Sequence, residues 1–256
     1  MSKASNRVFV SGSSSGIGFN IAKHFLLKGR DVIINGSSAD NLKMAVQELV
    51  RAGIDMERVS VAEGDLTCES GINRVVEHFV KNKIKLGALI CNLGSGSPAK
   101  DNIPIRQVWE DSLAINLLSP IMLIEALLDF LEKNSSIVCI SSICGVEYVP
   151  GAPIEYSASK AALNAFVKCK ARELSGRKVK INSLSLGNIM FPGSVWEKKA
   201  KHNHQKVMSV IEDNVALARF GEVEEIASIT DAVCSDKFSF MTGANLVIDG
   251  GQVRGF

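Results

Sequence analysis

The sequence predicts an α/β fold of the doubly wound type, a parallel sheet of about seven strands with helices on both faces, as one domain over residues 1–256. Two observations carry that prediction. Short β-branched runs alternate with longer stretches of helical period from end to end of the chain, and the first run closes in a glycine-rich turn that opens a helix.

The first strand is expected at Val8 to Ser11, followed by Gly12-Ser13-Ser14-Ser15-Gly16-Ile17-Gly18 and an apolar periodic segment from Phe19 to Leu27. Gly12 permits the sharp turn. Gly16 lets backbone approach a pyrophosphate, and Gly18 lets the helix pack closely on the strand with its first amides aimed at the anion. After Gly29 a second strand, Val32 to Asn35, completes a strand-helix-strand unit. Further strands are expected at Val59 to Ala62, Leu86 to Cys91, Ile137 to Ser141, Lys180 to Leu186 and Asn245 to Ile248. Ligands of such sheets bind beyond the carboxyl ends of the strands, where Gly12, Asp65, Asn92, Ser142 and Gly187 all emerge.

Within that frame, Tyr156 and Lys160 are the residues with chemistry to offer. A spacing of four puts phenol and ammonium on one face of a helix. A free phenol, with a pKa of about 10, is a poor proton donor or acceptor near neutrality, so a fixed neighbouring cation is the device such chemistry needs. Taken alone, such a pair is more often a solvated helical face. Ser142, at the end of an expected strand, can bond a substrate oxygen. Asn116 lies in a helix-like segment from Gln107 to Leu131, and Pro120 has no amide hydrogen to give the Asn116 carbonyl. A kink there can hold a water in line with Lys160.

Composition narrows the function classes. A net charge of +2 without a dense basic block argues against nucleic acid and anionic membranes as partners. Cys68, Cys91, Cys139, Cys144, Cys169 and Cys234 show neither C-x-x-C nor Cys/His ligand spacing, which implies no metal and a reducing compartment. The chain begins without a charged-then-apolar leader, and no uncharged apolar run reaches the roughly 18 residues of a membrane span. The expectation is a cytoplasmic, soluble protein acting on a small molecule.

In these motifs the chain resembles the short-chain dehydrogenase/reductase family over nearly its whole length. The glycine turn matches T-G-x-x-x-G-I-G with Ser11 for threonine, Asn92-Leu93-Gly94 is similar to N-N-A-G, and Asp249-Gly250-Gly251 matches a C-terminal D-G-G. The resemblance implies Asn116, Ser142, Tyr156 and Lys160 as the catalytic set. It further implies a cofactor site of Gly12, Ser14, Ser15, Gly16, Ile17, Gly18, Ser37, Ser38, Asp65, Leu66, Asn92, Gly94, Tyr156, Lys160, Gly187 and Ile189, the Asp65-Leu66 pair touching adenine. Tyr156 is then the general acid of carbonyl reduction, and Lys160 lowers its pKa while contacting the nicotinamide ribose. Ser142 orients the carbonyl and Asn116 anchors a proton relay. A homotetramer or homodimer is implied, with contacts near Asn116, Tyr156 and the last strand.

Cofactor choice turns on the end of the second strand, where Asn35-Gly36-Ser37-Ser38 carries no carboxylate before Asp40. An acidic residue there would repel a 2′-phosphate, so NADP is expected, with NAD not excluded; Ser37, Ser38 and the Asn35 side chain can donate to it. The arginine common in NADP-binding members is missing. Two departures concern the substrate side. Phe191 stands where the resemblance expects threonine, and the segment between Ser142 and Tyr156 is longer than in acyl-carrier-protein reductases. Residues 188–214 are expected to form a substrate lid, apolar through Phe191 and Trp196 and then basic through Lys198, Lys199, Lys201 and Lys206. The leading expectation is interconversion of a carbonyl and a secondary alcohol. The alternatives are a catalytically idle nucleotide-binding or regulatory protein on the same fold, and, within enzymes, a sugar or sugar-nucleotide oxidoreductase of glycan synthesis.

Overall fold

In a computed structural model, which describes residues 5–99 and 101–255, seven parallel strands form one sheet in the order β3-β2-β1-β4-β5-β6-β7. They are β1 (Arg7–Val10), β2 (Asp31–Gly36), β3 (Val59–Glu63), β4 (Leu86–Cys91), β5 (Leu131–Ser142), β6 (Lys180–Leu186) and β7 (Asn245–Ile248). The helices are α1 (Gly16–Leu27), α2 (Ala39–Arg51), α3 (Glu69–Lys81), α4 (Ile105–Leu113), α5 (Ser119–Leu127), α6 (Ile154–Leu174), α7 (Val195–His202), α8 (His204–Asn214) and α9 (Val223–Cys234). All seven expected strands are present, and β5 starts earlier than its apolar run indicated. The ends of the expected domain, residues 1–4 and 256, lie outside the described residues.

Strand periodicity explains the two-sided core. Val8, Val10, Val32, Ile34, Ala88 and Ile90 belong to one buried cluster with Ile21 and Phe25 of α1 and Ile226 of α9. Their neighbours Phe9, Ile33 and Leu89 belong to the other, with Val75 and Phe79 of α3, Leu123 of α5 and Leu163 of α6. Successive side chains leave opposite faces of a strand, so a sheet covered on both sides demands apolar residues at every position. Phe79 is fully buried, with its ring centroid 5.6 Å from that of Phe9 and 5.3 Å from that of Phe130. Truncating such a residue to alanine costs about 3–5 kcal/mol.

The strand order reverses beside β1, whose neighbours are β2 and β4. This is the switch point at which open α/β sheets leave a crevice. The helical run Ile105–Phe130 is long and apolar enough to cross a membrane by length and composition, which the uncharged-run reading of the sequence did not anticipate. Its Leu123, Ile124 and Leu127 are fully buried in the second cluster, whereas Ile105, Leu118 and Met122 are exposed, so the core of this fold accounts for part of that apolarity.

Candidate active site

The glycine turn is braced from several directions. Gly12 has φ +57° and its N–H donates to the Asn35 side-chain oxygen at 3.2 Å. The Ser11 hydroxyl accepts from the Asn92 and Leu93 amides at 2.9 and 3.1 Å, and the Asn92 side-chain amide donates to the Gly12 carbonyl at 2.9 Å. A Cβ on Gly18 would collide with that Asn92 side chain and with the Gly12 carbonyl. Ser11 and Asn92 therefore hold the turn in shape, a role their motif positions did not announce. The residues fit an anion: α1 begins at Gly16 with no acidic residue in its first turn, and the side chain of its N-cap, Ser15, makes no cap bond.

Beside β2 the structure corrects one expectation. The Asn35 side chain is not free to meet a ligand, because it accepts from Gly12 and donates to the Ala62 and Gly64 carbonyls at 2.9 and 3.2 Å. A buried amide with backbone partners on β3 and the glycine turn is already satisfied. Ser38, half-buried, caps α2 by accepting from the Asn41 amide at 3.3 Å, while Ser37 is exposed and Gly36 lies against Ser14. Asp65 is exposed with its carboxylate on Thr67, but Leu66 is buried in the core and offers only backbone.

The four expected catalytic residues converge beyond β4 and β5. Asn116 lies in a π-helical turn, Ala114–Leu118, between α4 and α5, where the Ser119 N–H bonds the Ala114 carbonyl. The expected kink is thus a π turn, which ends just before Pro120. The buried Asn116 amide clamps Ser95 at both ends, accepting from its N–H at 2.9 Å and donating to its carbonyl at 3.0 Å. Gly94 fits between this amide and Lys160: a Cβ there would stand 3.0 Å from Asn116 Oδ1 and 3.1 Å from Lys160 Nζ. A Cβ on Gly96 would likewise stand 3.3 Å from the Tyr156 ring, and one on Gly145 2.5 Å from the Lys160 backbone. Neither glycine was singled out from the sequence, although Gly94-Ser95-Gly96 is itself a signal of close backbone approach.

Lys160 is buried and donates to the Ile140 carbonyl of β5 at 2.9 Å. Its Nζ stands 5.8 Å from the centroid of the Tyr156 ring. Burial lowers the lysine pKa to about 8. The same desolvation pushes Tyr156 up to about 12, against a smaller opposing effect of the Ser142 hydroxyl. This corrects the expectation that Lys160 depresses the phenol: the ammonium is engaged by a β5 carbonyl, and burial dominates both groups. Ser142 accepts from the Cys144 amide at 3.2 Å, which fixes its Oγ at the end of β5.

Gly187 and Ile189 are packed more tightly into the protein than a ligand-facing role suggests. A Cβ on Gly187 would lie 2.7 Å from Asp249, and Ile189 is buried and bridged to Gly221. The expected lid contains α7 and α8, with Val207 and Ile211 of α8 buried. Trp196 packs on Phe220 at 5.5 Å, and Lys199 covers it at 4.8 Å. Lys198, Lys199, Lys201 and Lys206 are exposed, a solvated face. A cavity of about 380 Å³ opens beside Asn116, Tyr156 and Ser95, and a smaller one of about 180 Å³ is bounded by Ile143, Tyr148, Gln252 and Arg254. Glu147 ties down the chain end by accepting from the Arg254 and Gly255 amides at 2.8 and 3.2 Å. No cluster of metal-ligating side chains occurs among the described residues.

Comparison with known proteins agrees with this geometry. The family model described as enoyl-(acyl carrier protein) reductase matches residues 12–252. Human dehydrogenase/reductase SDR family member 4 is 30% identical over 97% of this chain and 87% of its own length. The 3-oxoacyl-[acyl-carrier-protein] reductase FabG of Thermotoga maritima is 30% identical over 95% of this chain and 96% of its own. Among solved structures, L-sorbose reductase from Gluconobacter frateurii, complexed with NADPH and L-sorbose, superposes with a TM-score of 0.88 at 25% identity, covering 100% of this chain and 99% of that one. The Pseudomonas aeruginosa RhlG/NADP complex gives 0.84 at 25% identity over 96% and 95%. A braced glycine turn, a parallel sheet with its switch point at β1 and these relatives together show that the chain belongs to the short-chain dehydrogenase/reductase family of oxidoreductases.

Proposed function

We propose that the protein is an NADP-dependent oxidoreductase that interconverts a carbonyl and a secondary alcohol, with Tyr156 as general acid and base. The observation that carries this reading is the convergence of Tyr156, Lys160 and Asn116 around Gly94 and Gly96, with Ser142 near the phenol. NADP is favoured over NAD by the absence of a carboxylate at Gly36, Ser37 and Ser38 and by relatives captured with NADPH or NADP. Ser15, Gly16 and Ile17 at the start of α1 would hold the pyrophosphate, Asp65 and the Leu66 backbone the adenine, and Lys160 the nicotinamide ribose. Bound NADPH supplies the hydride.

The chain's own residues supply the rest. Ser142 Oγ, fixed at the end of β5, donates to the substrate carbonyl and polarises it. Tyr156 gives its proton to that oxygen. Lys160 and the Asn116 carbonyl, to which Pro120 cannot donate, then form with a water the relay that returns the proton to the phenolate left behind. The exposed apolar residues Ile105, Leu118 and Ile154 on α4, the π turn and α6 suit the homodimer or homotetramer contacts implied by the resemblance.

A second reading concerns the substrate. A sugar or other polyhydroxylated carbonyl is favoured by the match to L-sorbose reductase along the whole of both chains and by serines, Asp111 and Glu155 in the larger cavity. The test is NADPH oxidation across keto sugars, sugar nucleotides and ketoacyl thioesters, with Tyr156→Phe in parallel. The expected result is turnover by the parent, lowered by roughly 10²–10⁴-fold in the variant, with NADPH affinity nearly unchanged. Turnover by the variant within a few-fold of the parent would sink the tyrosine assignment, and tight NADPH binding without turnover across the panel would favour an idle binder.

A further inference from the structure

The aromatic residue at the base of the lid lies on the cofactor turn itself. A Cβ built on Gly16 would stand 2.8 Å from Phe191 Cε2 and 3.3 Å from Cδ2 and Cζ, so the ring rests on the open face of this glycine. Gly16 has φ +61° and is the first residue of α1. Its bare face is what allows backbone to approach a pyrophosphate. Here that face is covered by a hydrocarbon ring, which has no hydrogen-bond donor for an anion.

We infer that Phe191 is a further cofactor-site residue, a self-occupant of the glycine turn that must be lifted away before a pyrophosphate-bearing nucleotide can seat; this rests on the NADP reading above. The local structure is suited to moving as a unit. The Ser194 N–H donates to the Phe191 carbonyl at 3.0 Å, and the Phe191 N–H to the Ser194 hydroxyl at 3.4 Å. That hydroxyl also accepts from the Glu197 amide at 3.0 Å as the N-cap of α7, while the Glu197 carboxylate accepts from the Gly193 amide at 2.8 Å. The turn is therefore welded to α7. On its other side, Met190 donates to the Gly221 carbonyl at 3.1 Å and Gly221 to Asn188 at 2.9 Å, which anchors the chain just before Phe191. Lifting the ring therefore hinges between Met190 and Phe191 and carries α7 with it. Cofactor entry and lid position become one equilibrium, and the apparent affinity for nucleotide is reduced by the fraction of molecules with the ring in place.

The test is NADP⁺ binding by calorimetry and stopped flow with the parent, Phe191→Ala and Phe191→Thr. Removing the ring is expected to tighten binding and speed association by roughly three- to tenfold. Hydrogen exchange on the unaltered protein keeps the test independent of any folding defect. NADP⁺ alone should accelerate exchange across residues 190–196 while slowing it at the start of α1. Equal or weaker binding by both variants, or slower exchange across residues 190–196, overturns the self-occupant and leaves the NADP reading standing. Failure of the parent and both variants to bind NADP⁺ overturns the NADP reading and this inference with it.

Discussion

The rim of the sheet beside β2 and the rim beside β5 solve opposite problems. At β2 the polar groups are exposed, like Asp65 and Ser37, or bonded to backbone, like Asn35, and Gly36 contributes only space beside Ser14. At β5 the ionisable groups are desolvated: burial carries Lys160 down to about 8 and Tyr156 up to about 12. Preference at the first rim therefore depends on a charge that is missing, whereas chemistry at the second depends on charges held out of water. One substitution should retune the first rim and disable the second.

The largest effect is expected at Lys160. Replacing it with methionine keeps a buried, unbranched side chain and removes the ammonium, and kcat/KM for reduction should fall by about 10² or more. In the parent, kcat/KM should decline as pH rises through about 8, because the ammonium is lost there. Stability should move the other way. A lysine whose folded pKa lies below its ordinary 10.5 binds fewer protons in the folded than in the unfolded state, so its contribution to the unfolding free energy rises between about pH 8 and 10.5. Cys91, Cys144 and Cys234, whose pKa values are raised, act in the opposite sense over that window, so the readout is the difference: the stability of the parent relative to Lys160→Met should grow with pH in denaturant titrations. Identical pH profiles in the two proteins would remove Lys160 from the account.

A smaller effect is expected at the β2 rim. Gly36→Asp places a carboxylate where none stands, and the affinity ratio of NADP to NAD should reverse by about tenfold or more. The new Cβ would lie 3.3 Å from Ser14 Cβ and Oγ, so Gly36→Ala is the control for crowding. If alanine and aspartate weaken NADP equally, space rather than charge governs the preference. If the parent already prefers NAD, the reading of this loop is wrong.

The same contrast explains what the sequence made legible. Strands were readable because both faces of the sheet are covered, leaving runs such as Val32-Ile33-Ile34 apolar at every position. Gly12, Tyr156 and Lys160 were readable because fixed spacings on a turn and a helix carry their geometry. Asn35 was misjudged because a polar residue at a strand end looks the same whether it faces a ligand or the neighbouring backbone. The π turn was readable only as a kink at Pro120, since an extra residue in a helical turn leaves the apolar period nearly intact. The contact between Phe191 and Gly16 joins residues far apart in the chain, and no local pattern encodes it. The direction of the Tyr156 shift likewise follows from burial rather than from its spacing to Lys160.

The most direct test of the central claim, that Tyr156 is the proton donor of the site and works beside a bound nicotinamide, is a spectroscopic titration of that phenol. The chain has 2 tyrosines, and Tyr148 is 84% exposed, so Tyr148→Phe leaves Tyr156 as the sole phenolate chromophore with little cost to the fold. Phenolate absorbance should be followed against pH in this variant with and without saturating NADP⁺, whose nicotinamide carries a positive charge. The account predicts a midpoint near 12 for the free protein and a clear fall when NADP⁺ is bound. A midpoint that does not move on binding, with binding verified independently, would contradict it.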